Sequence, residues 1–282
     1  MPIFCTRSTS LLLIAGILIA SIAATAEEST EPAAAPAVLA ETPTTPPPNE
    51  AGLRPEVTTD VALVSAYVWR GLTANEEPVL QPSLDVVIGP ITINVWANLD
   101  LTNQTDSGIR SGQVSELDLL IDYGYAFGAD EEFLLSFGIV DYLFPAAGST
   151  TELYLSFSWD SIVSPSITIY RDVDIPTLYI GLDATYPYQP SEAIEIEAGV
   201  SLGLGDKDWA TSMMGVSESD AAFGLFDASI TVTAIYAIDD HTTASLTMGG
   251  SFIINSDAAD AFDSADLKTS RFIIGMAISR SY

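Results

Sequence analysis

The chain has 282 residues, of which nine are basic and 38 are acidic, and its formal net charge is −29 at pH 7. This excess of negative charge excludes nucleic acid as a partner and favours the attraction of cations. Nearly half of the residues are hydrophobic and the mean hydropathy is +0.31, which argues against disorder for most of the chain.

The first 26 residues have the features of a secretory signal peptide. Arg7 precedes an apolar run from Leu11 to Ala24, and the small residues of Ala24-Thr25-Ala26 fit a cleavage site. The run is shorter than the ~20 residues that a membrane-spanning helix needs, so an uncleaved anchor is the weaker alternative. Cys5 is the single cysteine, and cleavage removes the one thiol that could form a disulfide or bind zinc.

Residues 27–56 differ in composition from the rest of the chain. They are rich in Ala, Pro, Thr and Glu, include Pro46-Pro47-Pro48, and show no hydrophobic periodicity. Such a segment cannot bury a core, and we predict a disordered, extended linker on the periplasmic side. A partner-binding role is the alternative.

From residue 57 onward the sequence predicts twelve strands in which apolar residues alternate with polar or small ones. In the last strand, Arg271 to Tyr282, alternate residues from Phe272 to Ile278 are apolar and those between them are mostly small or polar. A parallel α/β sheet would instead give continuous apolar strands. Because twelve is even, the last strand can pair with the first, Thr58 to Gly71, and remove both sheet edges. The predicted fold class is all-β, a closed antiparallel up-and-down transmembrane β-barrel of about 12 strands over residues 57–282.

The lengths of the connections predict the orientation of this barrel. Tight connections at 89–90, 127–131, 160–165, 187–192 and 237–242 alternate with longer ones, notably 100–113, 204–223 and 255–268. Short periplasmic turns and longer outer loops are typical of outer-membrane barrels, although the short link 174–177 breaks the pattern. We therefore predict a location in the bacterial outer membrane. The expected partners are outer-membrane lipid and, through the C-terminal strand, the barrel assembly machinery.

Outward-facing aromatic residues are expected near both rims, because such side chains prefer the membrane interface. Core aromatics of a soluble exported β-sandwich are the alternative. The predicted membrane girdle consists of Trp69, Tyr125, Phe133, Trp159, Tyr186, Phe226, Tyr236, Phe252, Phe272 and Tyr282.

Acidic residues dominate the inward-facing positions, and few basic residues oppose them. The predicted pore-lining residues are Arg70, Asp85, Trp96, Asp100, Glu116, Asp118, Asp122, Glu152, Asp172, Asp174, Asp183, Glu195, Glu197, Asp227 and Arg271. A wet bore lined by unopposed carboxylates favours cations, and this predicts a passive, cation-preferring porin. In the alternative, these side chains cross-link a filled interior, and the barrel is a non-conducting structural or surface-recognition protein. Trp96 is expected to pack against Tyr179.

The sequence gives little support to an enzyme or to a cofactor or metal site. The single histidine, His241, lies in a predicted turn without a nucleophile or orienting partner, so we predict no catalysis. In the last outer loop, Asp257, Asp260, Asp263 and Asp266 recur at a spacing of three. These acids are candidates for divalent cations, but they lack the EF-hand pattern, which favours a solvated loop.

The first predicted strand carries a family resemblance. Residues 64–71 read VSAYVWRG and are followed by Glu77 to Pro82, Asn94-Val95-Trp96 and Glu116-Leu117-Asp118. With these motifs the chain resembles the TorF-type porins, a family of Gram-negative outer-membrane β-barrel proteins, over roughly residues 57–282. The resemblance implies the location and the fold, and it implies neither a transported solute nor catalytic residues.

Overall fold

A computed structural model describes residues 54–103 and 109–282. The predicted signal peptide and all but the last three residues of the predicted linker lie outside this part, and Glu56 already belongs to the first strand. The elements in chain order are β1 (Glu56–Val64), β2 (Tyr67–Trp69), β3 (Leu72–Asn75), β4 (Val79–Ile88), β5 (Ile91–Asp100), β6 (Val114–Phe127), β7 (Phe133–Phe144), β8 (Gly148–Trp159), β9 (Pro165–Asp172), β10 (Leu178–Ser191), β11 (Ile194–Gly205), α1 (Lys207–Ser212), β12 (Gly224–Asp239), β13 (Thr242–Ile253), α2 (Ser256–Ser264) and β14 (Ser270–Ser281).

Twelve of these strands form a closed antiparallel barrel, as the sequence predicts. Each strand from β4 to β14 pairs with its chain neighbour, and β1 closes the sheet between β14 and β4. The closing register runs from Thr58 opposite Ser281 to Val64 opposite Gly275. The expected first strand, Thr58 to Gly71, is too long, because β1 ends at Val64 and β2 and β3 form a separate two-stranded hairpin.

The outer surface of the barrel is apolar, and the inner surface is largely polar. Along β6, Leu119 and Ile121 expose 41% and 54% of their surface, whereas the intervening Leu120 and Asp122 are buried on the inner side. Strands exposed on one face to hydrocarbon alternate in this way, because successive side chains of a strand point to opposite faces of the sheet. Among the described residues, no helix is long and apolar enough to cross a membrane.

The connections divide the barrel into two ends. Short turns at 89–90, 128–132, 160–164, 192–193 and 240–241 lie at one end, together with the start of β1 and the end of β14, and we call this the turn end. The opposite loop end carries the connections 65–78, 145–147, 173–177, 206–223 and 254–269, together with the described residues 101–103 and 109–113. This distribution agrees with the predicted short periplasmic turns and longer outer loops, with the links 145–147 and 173–177 as short exceptions.

Most of the predicted girdle aromatics lie on the outer surface. Tyr125, Trp159, Tyr236, Phe272 and Tyr282 are exposed there. Phe133 and Phe252 are half-buried, and the ring of Phe133 stacks on that of Phe157 with 5.9 Å between the centroids. An apolar belt with aromatic residues toward both rims fits a bilayer.

Three girdle predictions are wrong. Trp69 lies inside the barrel on β2, because the chain leaves the barrel wall after Val64. Phe226 is 1% exposed and belongs to an interior cluster, because a β-bulge at this point of β12 shifts the register between Asp227 and Leu225. Tyr186 is 4% exposed and therefore presents little surface to lipid.

A charge on the outer surface tests the position of the membrane. Leu119 lies near the middle of β6, and Tyr125 lies near its turn end. We expect Leu119→Arg to lower the free energy of unfolding by about 2–4 kcal/mol, and Tyr125→Arg by no more than about 1 kcal/mol, because the cost of a lipid-facing charge falls toward the interface. Urea unfolding in lipid vesicles measures both. Equal losses of unfolding free energy for the two variants would show that Leu119 does not lie deeper in the bilayer than Tyr125.

Candidate functional site

A short hairpin crosses the interior of the barrel. Residues Tyr67–Asn75, comprising β2 and β3 and called the lumenal hairpin below, pair only with each other, with Trp69 opposite Leu72. The two residues between the strands, Arg70 and Gly71, have φ values of +48° and +81°, and positive φ at both positions is the signature of a type I′ turn. Side chains rather than ladder hydrogen bonds therefore hold this hairpin against the wall.

The base of the lumenal hairpin packs on the barrel wall near the closing seam, which is the pairing of β1 with β14. Tyr67 and Val68 belong to a cluster with Val64, Val79 and Ile273, on β1, β4 and β14. Trp96 faces the interior as predicted, but it packs against Tyr67, 5.5 Å between ring centroids, and not against Tyr179. The hairpin, which the sequence interpretation lacks, occupies the space beside Trp96.

The tip of the hairpin also touches the barrel wall directly. A Cβ atom on Gly71 would lie 2.7 Å from Cδ1 of Ile253 and 2.8 Å from Cβ of Asp227, so the backbone touches β12 and β13 directly. In the barrel order β13 and β12 follow β14, so this contact lies beside the base. The hairpin crosses the bore through Arg70, which reaches β8 on the other side.

Arg70 is a buried basic residue of the loop-end half of the interior. Its Nη1 and Nη2 atoms donate to Oε1 and Oε2 of Glu152 on β8 at 2.7 and 2.8 Å, and the two side chains are 8% and 3% exposed. The hydroxyl of Tyr142 donates to Glu152 at 2.9 Å. A bidentate pair of this kind compensates the desolvation of both charges far better than a single contact. Arg70 is thus an interior residue as predicted, although it lies on the hairpin and not on the wall.

Aromatic rings enclose the same guanidinium group. Its Cζ atom lies 4.1 Å from the ring centroid of Tyr170, 4.4 Å from those of Tyr179 and Trp69, and 5.5 Å from that of Trp209. These distances are within the range of cation–π attraction, which is strongest where water is excluded. Glu152, Tyr170, Tyr179 and Trp209 belong to the wall or to α1 and are called the cation cage below.

Helix α1 brings Trp209 into the barrel. The side chain of Asp206 caps the helix by accepting a hydrogen bond from the Trp209 backbone at 2.8 Å, which fixes the first turn. Trp209 is fully buried and lies 4.7 Å from the ring of Tyr179, and Gly205 leaves the space that its indole occupies. The sequence analysis assigned no role to Trp209. Asp206, a residue type that favours the N-cap position, was the signal in the sequence that could have indicated a helix there.

Helix α2 completes an apolar cluster at the loop end. Ala258 and Phe262, one turn apart, are buried with Trp209, Met214 and Phe226. The four aspartates at spacing three, Asp257, Asp260, Asp263 and Asp266, are exposed on and just after this helix. Within residues 54–103 and 109–282, no group of three or more acidic, histidine or cysteine side chains is placed to hold a metal ion.

The predicted acids of the loop-end half are tightly bonded. Asn75 donates to Asp100 at 2.7 Å, Thr150 donates to Asp172 at 2.6 Å, and Tyr179 donates to Asp227 at 3.2 Å. Glu116 and Asp118 lie side by side on the inner face of β6. Asp174 is a wrong assignment, because it lies beyond β9, is exposed, and accepts from the Thr151 backbone at 3.0 Å.

The middle and the turn-end half of the interior are acidic and contain the predicted Asp85, Asp122, Asp183, Glu195 and Glu197. Their partners are neutral: Asn94 donates to Asp85 at 2.8 Å, Ser201 to Asp183 at 2.5 Å and Tyr154 to Asp122 at 2.6 Å. The sequence interpretation missed Asp60, which β1 buries in the same half. In the described ranges, the basic side chains facing the interior are Arg70 and Arg271, and both lie toward the loop end.

Arg271, on β14, forms an ion pair at the loop end of the barrel, near the closing seam. It pairs with Glu76, to which Lys268 also donates at 3.1 Å. The hydrogen bond from Lys268 and the nearby charge of Arg271 hold the pKa of Glu76 below its usual value. His241 is exposed in the turn between β12 and β13, where its backbone N–H donates to Asp239 at 2.9 Å.

Solved structures with a similar fold are outer-membrane barrels. The COG4313 outer membrane channel from Pseudomonas putida F1 is 8% identical, with 86% of this chain and 100% of that chain covered and a TM-score of 0.51. The NanC porin is 11% identical (79% and 98% covered, TM-score 0.49), and the outer membrane channel DcaP of Acinetobacter baumannii is 10% identical (83% and 99% covered, TM-score 0.33). At this identity the likeness to the first structure establishes the fold, which agrees with the predicted outer-membrane location.

The sequence itself identifies the family. No curated protein matches the chain significantly. A family model described as "Bacterial protein of unknown function (Gcw_chp)" matches residues 49–271, which include most of the barrel and the lumenal hairpin. The chain therefore belongs to the Gcw_chp family of bacterial proteins.

Proposed function

We propose that this protein is an outer-membrane porin through which small solutes diffuse passively, with a preference for cations. The observation that carries the proposal is the one-sided charge of the interior: five predicted carboxylates and Asp60 line its middle and turn-end half without an opposing basic side chain in the described ranges. In a narrow bore such carboxylates concentrate cations and repel anions. The likeness of the fold to an outer membrane channel supports a channel, whereas the cation preference rests on the interior charge alone.

A second function has support from a different observation. The lumenal hairpin, Trp209 and the α2 cluster fill the loop-end half of the interior. A barrel that stays filled in this way would serve as a structural or surface-recognition protein through its outer loops. We favour the channel because a plug of wall-detached hairpin and loop helices can be displaced without breaking the barrel hydrogen bonds.

Reversal potentials across planar bilayers in a salt gradient test the channel. We expect cation preference both for the unaltered protein and for Arg70→Asn, which weakens the plug. Anion preference would overturn the charge argument. Absence of current for both proteins, each refolded and inserted, would favour the non-conducting barrel.

Neutralising interior carboxylates should weaken the cation preference. In Asp85→Asn/Glu197→Gln two interior charges disappear, and we expect the reversal potential to move toward zero. The matched control is Asp257→Asn/Asp260→Asn, which removes two charges from the exposed surface of α2. A control shift as large as that of the interior variant would show that surface charge sets the selectivity.

A further inference from the structure

The cation cage has the composition of a binding site for an organic cation. Its carboxylate, Glu152, is held by Tyr142, and its rings, Tyr170, Tyr179 and Trp209, face one point in the bore. Rings around a buried carboxylate recognise guanidinium and substituted ammonium groups, because the ring faces and the carboxylate both attract positive charge. None of the four residues belongs to the hairpin: three lie on the barrel wall, and Trp209 lies on α1.

The residue that now fills the cage is poorly suited to its backbone position. Type I′ turns favour Asn-Gly, and residues other than Gly, Asn and Asp rarely adopt positive φ. Arg70 does so at +48°, in a chain with nine basic residues among 282. The turn itself therefore gives no reason for an arginine, whereas the cage does.

The connection between cage and hairpin consists of side-chain contacts. The hairpin forms no ladder with the barrel strands, and its tip contacts the wall through the pair of Arg70 with Glu152 on β8 and through the backbone of Gly71 against β12 and β13. A solute from solution that carries a guanidinium or amine group could contact the same groups that now bind Arg70. Such a solute and the tethered arginine would compete for one site.

We propose that the cation cage is a binding site for small solutes that carry a guanidinium or amine group, and that Arg70 occupies it as a tethered substitute for them. This inference rests on the proposed function, because it names the class of solute that the channel would admit. The tether gives Arg70 a high effective concentration, so the unaltered protein binds a free guanidinium weakly.

Binding of methylguanidinium to the refolded full-length protein in detergent tests the proposal. Arg70→Asn empties the cage and suits the turn, and Arg70→Gly does the same without a side chain. The fluorescence of Trp209 and Trp69, which border the cage, reports occupancy, and heat-modifiable gel migration confirms that each variant is folded. Urea serves as the neutral probe of the same shape.

We expect a saturable fluorescence change for Arg70→Asn and Arg70→Gly with methylguanidinium and none with urea. The unaltered protein and Arg70→Asn/Glu152→Gln should each bind about tenfold more weakly, which corresponds to about 1.4 kcal/mol. No saturable binding by either single variant, an equal response to urea, or equal binding by the double variant overturns the proposal and leaves Arg70 a structural plug. Binding without conductance would refute the channel and keep the cage; conductance without binding would do the reverse.

Discussion

Arg70→Asn is expected to lower the free energy of unfolding by about 1–4 kcal/mol, because it leaves Glu152 buried without its charged partner. Breaking a buried ion pair costs about 3–5 kcal/mol, and release of the unfavourable turn conformation of arginine returns about 1–2 kcal/mol. The double variant Arg70→Asn/Glu152→Gln should lose less than Arg70→Asn alone, since no unpaired buried charge remains. Urea unfolding in vesicles, followed by tryptophan fluorescence, gives all three values.

The control for this prediction is Arg280→Asn. Arg280 lies at the end of β14 with its side chain half exposed, 4.0 Å from Asp239. An exposed pair of this kind contributes no more than about 1 kcal/mol. Equal losses of unfolding free energy for Arg280→Asn and Arg70→Asn would show that the buried pair does not hold the hairpin. A larger loss for Arg70→Asn/Glu152→Gln than for Arg70→Asn alone would show the same.

Gly71→Ala is expected to displace the tip of the lumenal hairpin. The added methyl would overlap Ile253 and Asp227, and overpacking of this kind costs about 1–3 kcal/mol beyond the ~1 kcal/mol or more of a positive φ. The displaced hairpin should expose Trp69 and Trp209, so acrylamide should quench the fluorescence of the variant more strongly than that of the unaltered protein.

Gly148→Ala is the control that separates steric overlap from the strain of a positive φ. Gly148 also has a positive φ, +105°, but nothing lies within 4 Å of its added Cβ. The control therefore carries the backbone strain without the overlap, and its tryptophans should stay shielded. Equal quenching of both variants would mean that the tip of the hairpin does not seat against β12 and β13.

The barrel was predictable because a membrane constrains every strand in the same way. Leu119, Ile121 and the equivalent residues of the other strands must face hydrocarbon, while Asp122 faces inward. This period of two can be recognised in the sequence without knowledge of any tertiary contact. Closure between β14 and β1 follows from the even number of strands and from the need to remove edges. The interior acids followed from the same alternation, since their positions are set by parity alone.

The plug was not predictable by the same reasoning. Tyr67 and Trp69 continue the alternation of β1, so the sequence from Thr58 to Gly71 fits one strand as well as a strand followed by a hairpin. Arg70-Gly71 was a weak local signal for the turn. The contacts that decide between the two, Arg70 with Glu152 and Gly71 with Ile253, join residues far apart in the chain.

Local irregularities account for the remaining errors. The bulge in β12 turns both Phe226 and Asp227 inward, and a strict period of two cannot represent the extra residue. Asp174 follows the end of β9, and a parity count continued past the strand assigned it to the interior.

Conductance in planar bilayers tests the central claim most directly, namely that the barrel is a cation-preferring channel closed by the Arg70 hairpin. Equal amounts of folded, inserted protein are compared in symmetric salt and then in a salt gradient. We predict a larger conductance for Arg70→Asn than for the unaltered protein, with a reversal potential that shows cation preference. A conductance of Arg70→Asn no larger than that of the unaltered protein, or a preference for anions, would contradict the account.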